Sequence, residues 1–161
     1  MPQTLSNSAY KVQQAIENRG FDFIVRELPG STRSAADAAE TIGCDVAQIV
    51  KSLIFRDQAS GKAVLALVSG ENLVDMQKLA ASGAGDLEKA DASFVRSATG
   101  FAIGGIPPFG HDHALETYID QDLLVHDSIW AAAGTPNAVF ELDPAALVAI
   151  TRGVLCDLRQ D

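Results

Sequence analysis

The sequence predicts an α+β fold with a mixed, mostly antiparallel sheet. Three observations carry that expectation: helical spacing of apolar residues is concentrated toward the front, short β-type runs recur through the middle and end, and the connections between them are brief.

Taken in order, Ser6 or Asn7 can cap a helix whose apolar positions Ala9, Val12, Ala15 and Ile16 share one face, with Gly20 as its stop. Residues 21–25 (Phe-Asp-Phe-Ile-Val) read as a short strand before the Pro29-Gly30 turn. Ser34 opens a second helix that ends at Gly43, and Asp45 caps a short third one over residues 46–50. Lys51 then stands between that helix and a strand over residues 52–56, which pairs as a hairpin with residues 63–68 across a polar turn containing Gly61. Asn72 precedes a helix carrying Val74, Leu79 and Ala80, closed by the Gly/Ser-rich residues 81–85, and a further helix is expected around residues 87–90. Residues 116–119, 129–132 and 138–142 read as strands, with a helical turn over 120–124. Asp143-Pro144 is a cap and first-turn pair for a helix through Ala146, Leu147 and Ile150, followed by a strand near residues 154–156.

At 161 residues and 47% hydrophobic content, the chain suits a single domain spanning residues 1–161, without repeats or a dividing linker. No stretch approaches the roughly 18–20 apolar residues of a membrane span, and Met1 to Asn7 lacks the basic start and apolar run of a secretion signal. A cytoplasmic location follows as the expectation. Two cysteines, Cys44 and Cys156, fall outside any C-x-x-C spacing and suit reduced thiols. A net charge of −9 opposes electrostatic coating of nucleic acid, DNA included, so contact with a polynucleotide has to be local, as in a pocket that reads one terminus.

Two features can carry chemistry. Gly104-Gly105-Ile106-Pro107-Pro108 combines glycines that allow close ligand approach with prolines that remove donors and stiffen the chain. That composition fits either a rigid surface turn or a loop that recognises a small polar group through its backbone. Lys51 is correspondingly either solvated or a point charge set against phosphate or carboxylate. His111-Asp112-His113 lacks a third ligand at convincing spacing, no G-x-S-x-G elbow accompanies a histidine, and Gly100 to Gly105 lacks the dinucleotide-binding spacing.

Three segments in this order, residues 47–55 (Ala-Gln-Ile-Val-Lys-Ser-Leu-Ile-Phe), residues 104–110 and residues 132–137 (Ala-Ala-Gly-Thr-Pro-Asn), resemble the YbaK/prolyl-tRNA-synthetase-associated domain family of tRNA editing deacylases. The resemblance runs from about residue 5 to 157, and the last segment is more similar to the free-standing prolyl-tRNA-editing branch than to the cysteinyl one. It implies a barrel-like mixed sheet surrounded by helices, no metal or organic cofactor, and hydrolysis of the ester between an amino acid and the 3′ end of misacylated tRNA. It also implies work beside an aminoacyl-tRNA synthetase. On the matching positions it implies catalytic duty for Lys51, Gly104, Gly105 and Pro108, and substrate contacts for Ile106, Pro107, His111 and Gly134. Where some relatives carry a serine and a polar Asp or His, this chain has Ala132 and Val139. Those replacements predict an apolar pocket for a small amino acid of the alanine, 2-aminobutyrate, proline or cysteine class. The other reading is a non-catalytic module of the same fold that binds tRNA ends or a synthetase.

Overall fold

The computed structural model describes residues 5–161; Met1 to Thr4, part of the segment read above for an export signal, lie outside the described residues. Five α-helices and eight strands follow one another as α1 (Asn7–Asn18), β1 (Arg26–Glu27), α2 (Ala35–Ile42), β2 (Ile49–Asp57), β3 (Ala63–Ser69), α3 (Met76–Leu79), β4 (Leu87–Lys89), α4 (Ala92–Thr99), β5 (Glu116–Asp120), β6 (Ile129–Ala132), β7 (Ala138–Leu142), α5 (Pro144–Thr151) and β8 (Val154–Cys156). The strands form one mixed sheet in the order β1-β7-β6-β2-β3-β5-β8, with β4 also on β2. Pairings β1/β7, β6/β7, β2/β3 and β2/β4 are antiparallel, while β2/β6, β3/β5 and β5/β8 are parallel. The sheet is open at β1 and β8.

Strand β3 shows why helices lie on both sides. Leu65 and Leu67 enter the larger apolar cluster with Ile16, Ile119 and Phe140, while Val64, Ala66 and Val68 enter a smaller one with Leu79, Tyr118 and Leu158. A strand covered on both faces reads as a continuous apolar run, which residues 63–68 do. Helix α1 seats Ala9, Val12, Ala15 and Ile16 in the larger cluster, on the face its spacing predicts, and the Ser6 hydroxyl caps it by accepting from Ala9 N–H.

Four sequence expectations change. Residues 21–25 form no strand, and the Gln13 side chain takes two of their backbone groups: its amide donates to Phe23 O at 3.0 Å and its carbonyl accepts from Val25 N–H at 2.7 Å. The short helix at Asp45 is one 3-10 turn, Val46–Gln48, and the strand starts at Ile49, so Lys51 lies inside β2 rather than before it. Asn72 does not open a helix; Asp75 caps α3, and the buried Asn72 amide instead donates to Asp120 and Asp122 at 2.8 Å each. Residues 87–90 are not helical, because Leu87–Lys89 pairs with β2 and the helix begins only after the Asp91 cap.

Candidate functional site

The sheet has a gap beside β2. Strand β3 runs along one edge of β2 from Val50 to Arg56, but on the other edge β6 pairs only with Ile49 and Val50, and β4 joins only at Phe55. Lys51 to Ile54 therefore have no strand neighbour on that edge among the described residues, and alternate backbone groups face the gap. A cavity of about 290 Å³ occupies it. Its walls include Ala35 and Ala38 of α2, Trp130 and Ala132 of β6, Ile106 and Val139. Both apolar replacements singled out in the sequence, Ala132 and Val139, line this cavity.

Lys51 also lines it. The strand alternates, placing Lys51 with Ile49 and Leu53 on one face and Ser52 with Val50 and Ile54 on the other. The ammonium group donates to the Asn72 carbonyl, whose residue is in turn tied to Asp120 and Asp122. Burial pulls the Lys51 pKa below its ordinary value, and the nearby Asp120 partly offsets this.

The Gly104–Pro108 segment divides. Gly104 and Ile106 line the cavity; Gly104 has φ 98°, and a Cβ there would sit 3.1 Å from Arg33 Cγ, so the arginine stem lies directly over it. Gly105 faces away. It is buried against the Gly134 turn, where a Cβ would come 2.8 Å from Gly134 C and Thr135 N. Gly105 N–H donates to Ala102 O at 3.1 Å, and Gly134 N–H donates to Gly105 O at 2.8 Å, so two loops distant in sequence are stitched together. Gly134, at φ 99°, lies under the first turn of α1, where a Cβ would meet Ser8 O at 2.6 Å.

Pro107 is buried, and its carbonyl contacts His111 Nε2 at 2.7 Å. Pro108 and His111 line a different depression of about 250 Å³ beside Arg19 and Ile150. His111 also stands edge-on to Phe101, and burial lowers its pKa despite the Pro107 contact. Asp112 pairs with Lys11, and among the described residues no three His, Cys, Asp or Glu side chains gather as metal ligands. The Cys44 thiol is pushed up by burial and by Asp45, which works against nucleophilic use.

Of the residues drawn from the sequence, the structure brings together Lys51, Gly104 and Ile106, and sets Gly105, Pro107, Pro108, His111 and Gly134 outside the cavity lining. Among the lining residues that sequence reasoning missed are Arg33, which is exposed, and Thr32 and Ser52, whose hydroxyls are buried and have no hydrogen-bond partner among the described residues. One signal was available for Ser52, since it interrupts the apolar alternation Val50, Ile54 on a buried face. Thr32 carried none, because its place depends on its N–H donating to Pro136 O at 2.6 Å, more than a hundred residues away in sequence. A larger groove of about 570 Å³, between α4 and the β2–β3 turn, contains none of these residues.

The family pattern described as the aminoacyl-tRNA editing domain matches residues 30–150, a span that includes the whole cavity. YwhH of Bacillus subtilis (strain 168) is 32% identical over 76% of this chain and 78% of its own length. EbsC of Enterococcus faecalis (strain ATCC 700802 / V583), described as a candidate Cys-tRNA(Pro)/Cys-tRNA(Cys) deacylase, is 29% identical over 78% of this chain and 76% of its own. A crystal structure of a candidate trans-editing enzyme for prolyl tRNA synthetase superposes with a TM-score of 0.92 at 48% identity, covering 98% of this chain and 100% of that one. No helix among the described residues is long and apolar enough to cross a membrane.

Proposed function

The chain belongs to the aminoacyl-tRNA editing domain family, and from that premise we propose that it is a trans-editing hydrolase acting in the cytoplasm on misacylated tRNA. The single observation that carries this reading is the β2 gap, where Lys51, Gly104 and Ile106 meet around a cavity sized for a small acyl group. The acyl group is a small amino acid of the alanine, 2-aminobutyrate, proline or cysteine class. The terminal adenosine stays at the rim, where the exposed Arg33 suits its phosphate and the bulk of the tRNA remains in solvent.

Water adds to the ester carbonyl, the bond to the ribose oxygen breaks, and the products are the free amino acid and a tRNA with both ribose hydroxyls restored. Backbone donors held in place before the reaction stabilise the oxyanion of the tetrahedral intermediate. Gly105 N–H is already committed to Ala102, and Pro107 and Pro108 have no N–H to offer. The donors in this reading are therefore Gly104, Ile106 and the open edge of β2. Lys51 supplies the cation that fixes the substrate end, and no protein nucleophile is used. A synthetase that already holds the tRNA is the natural partner, since the net charge of −9 disfavours unaided tRNA binding.

The test is a deacylation panel with tRNAs charged with alanine, proline, cysteine, serine and 2-aminobutyrate. Turnover on at least one is expected, and Lys51→Ala should lower it about a hundredfold or more without changing the melting temperature. Saturable tRNA binding without ester loss on every substrate would instead establish the non-catalytic module.

A further inference from the structure

Asp120 is the one buried carboxylate among the described residues, at 0% exposure, and it has no ion pair among them. Hydrogen bonds satisfy both of its oxygens: Oδ1 accepts from Asp122 N–H at 3.2 Å and Oδ2 from the Asn72 amide at 2.8 Å. Neither donor carries a positive charge, and a carboxylate taken wholly out of water is costly to keep without one. The Oδ1 contact alone would cap the turn after β5. The Oδ2 contact and the complete burial go beyond what a cap requires.

The cation lies one residue further on. Asn72 is buried, its amide donates to Asp120, and its backbone carbonyl accepts from the Lys51 ammonium. Strand pairing sets this up. Lys51 stands opposite Val68 near the end of β3, and β3 pairs in parallel with β5, so Asp120 lies two strands from Lys51 at the same end of the sheet. Asn72 follows β3 and spans the two.

Few other charges face Lys51. Arg33 lines the cavity from the loop before α2, while α2 and β6 line it with no ionisable side chain and Val68 on β3 is apolar. Glu71, beside Asn72, is exposed. Asp122 shares the Asn72 amide but is 33% exposed and pairs with Arg159 at 3.4 Å, so it has a counter-charge of its own. Burial works against the charged form of Lys51, and Asp120 is the group that opposes this.

We infer that Asp120 is a positioning residue for Lys51: acting through Asn72, it fixes the ammonium at the cavity and keeps it charged. This rests on the editing reading above, in which Lys51 is the cation that fixes the substrate end, and it assigns the group behind that cation.

The test follows the Lys51 ammonium directly, by 13C NMR of the lysine ε-carbons across pH, with the signal assigned from the Lys51→Met variant. Asp120→Asn should make Lys51 titrate about one pH unit lower, and the alkaline fall of deacylation kcat/KM should move down by the same amount. Asp122→Asn, which removes a carboxylate already paired with Arg159, should shift both much less. A merely structural Asp120 would lower the rate at every pH alike and leave both midpoints in place. Electrostatic coupling is reciprocal, so if Asp120→Asn does not fold, Lys51→Met reads the same link from the other side: the Asp120 carboxyl should titrate about one pH unit higher than in the unaltered protein. An unmoved Lys51 midpoint in Asp120→Asn, an unmoved Asp120 midpoint in Lys51→Met, or equal shifts from Asp120→Asn and Asp122→Asn would each overturn this inference and leave the editing reading standing. The expected shifts in a protein that hydrolyses none of the esters would uphold the link and sink the editing reading.

Discussion

The two halves of the Gly104–His111 loop have the same kind of composition and opposite settings. Gly104 and Ile106 open onto the cavity with Lys51, while Gly105, Pro107 and Pro108 are buried and His111 closes back onto the Pro107 carbonyl. The neighbouring glycines make the contrast sharpest. Gly104 has a side-chain stem above it, which can move; Gly105 has backbone on the missing side chain's place, which cannot. A run of glycine and proline is thus half cavity wall and half the clamp that holds it.

The largest effect that tests this division is on Gly105. Gly105→Ala forces a Cβ to within 2.8 Å of the Gly134–Thr135 backbone, and should cost about 2–4 kcal/mol, read as a melting-temperature drop of roughly 5–12 °C. An unchanged melting temperature would remove its role as a clamp. Gly104→Ala is next. Strain at φ 98° costs about 1–2 kcal/mol, and the displaced Arg33 stem should lower editing turnover about tenfold. If the same substitution at both glycines produced the same ratio of stability loss to activity loss, the division of the loop would be wrong.

The smallest effect concerns His111 and pH. Its pKa is lowered in the fold, mainly by burial, so the folded state favours the neutral ring and the unfolded state binds the proton more readily. The contribution is complete above the free value of about 6.5 and is lost as pH falls through the lowered folded value. Denaturant titrations at pH 7.5 and pH 5 should show stability declining toward acid, and His111→Gln, which keeps a donor for Pro107, should reduce that decline. An identical slope in the variant would show that other groups set it.

Much of the fold was legible because it depends on near neighbours. The caps Ser34, Asp143 and Ser6 form where the sequence places them, since each hydroxyl or carboxylate accepts from an N–H three residues on. The β2–β3 hairpin formed for the same reason. Residues 21–25 were misread because a β-type run names a conformation but not its partner, and the partner was the side chain of Gln13. Around the cavity, Lys51, Gly104 and Ile106 had been singled out through their pattern along the chain. Thr32 was not, since nothing within a few residues of it marks its position on the Pro136 carbonyl.

By itself the sequence determined the fold class, most element boundaries, the family, and the apolar character that Ala132 and Val139 lend to a pocket, all of which follow from local spacing or from motifs read in order. Only the tertiary structure decided that β6 leaves β2 after Val50 and that β4 arrives only at Phe55, opening the gap that the cavity occupies. It alone divided the Gly104–His111 loop between cavity and clamp. The physical reason is that a cavity is a place where pairing stops, and where pairing stops is set by strands and loops far apart in the chain.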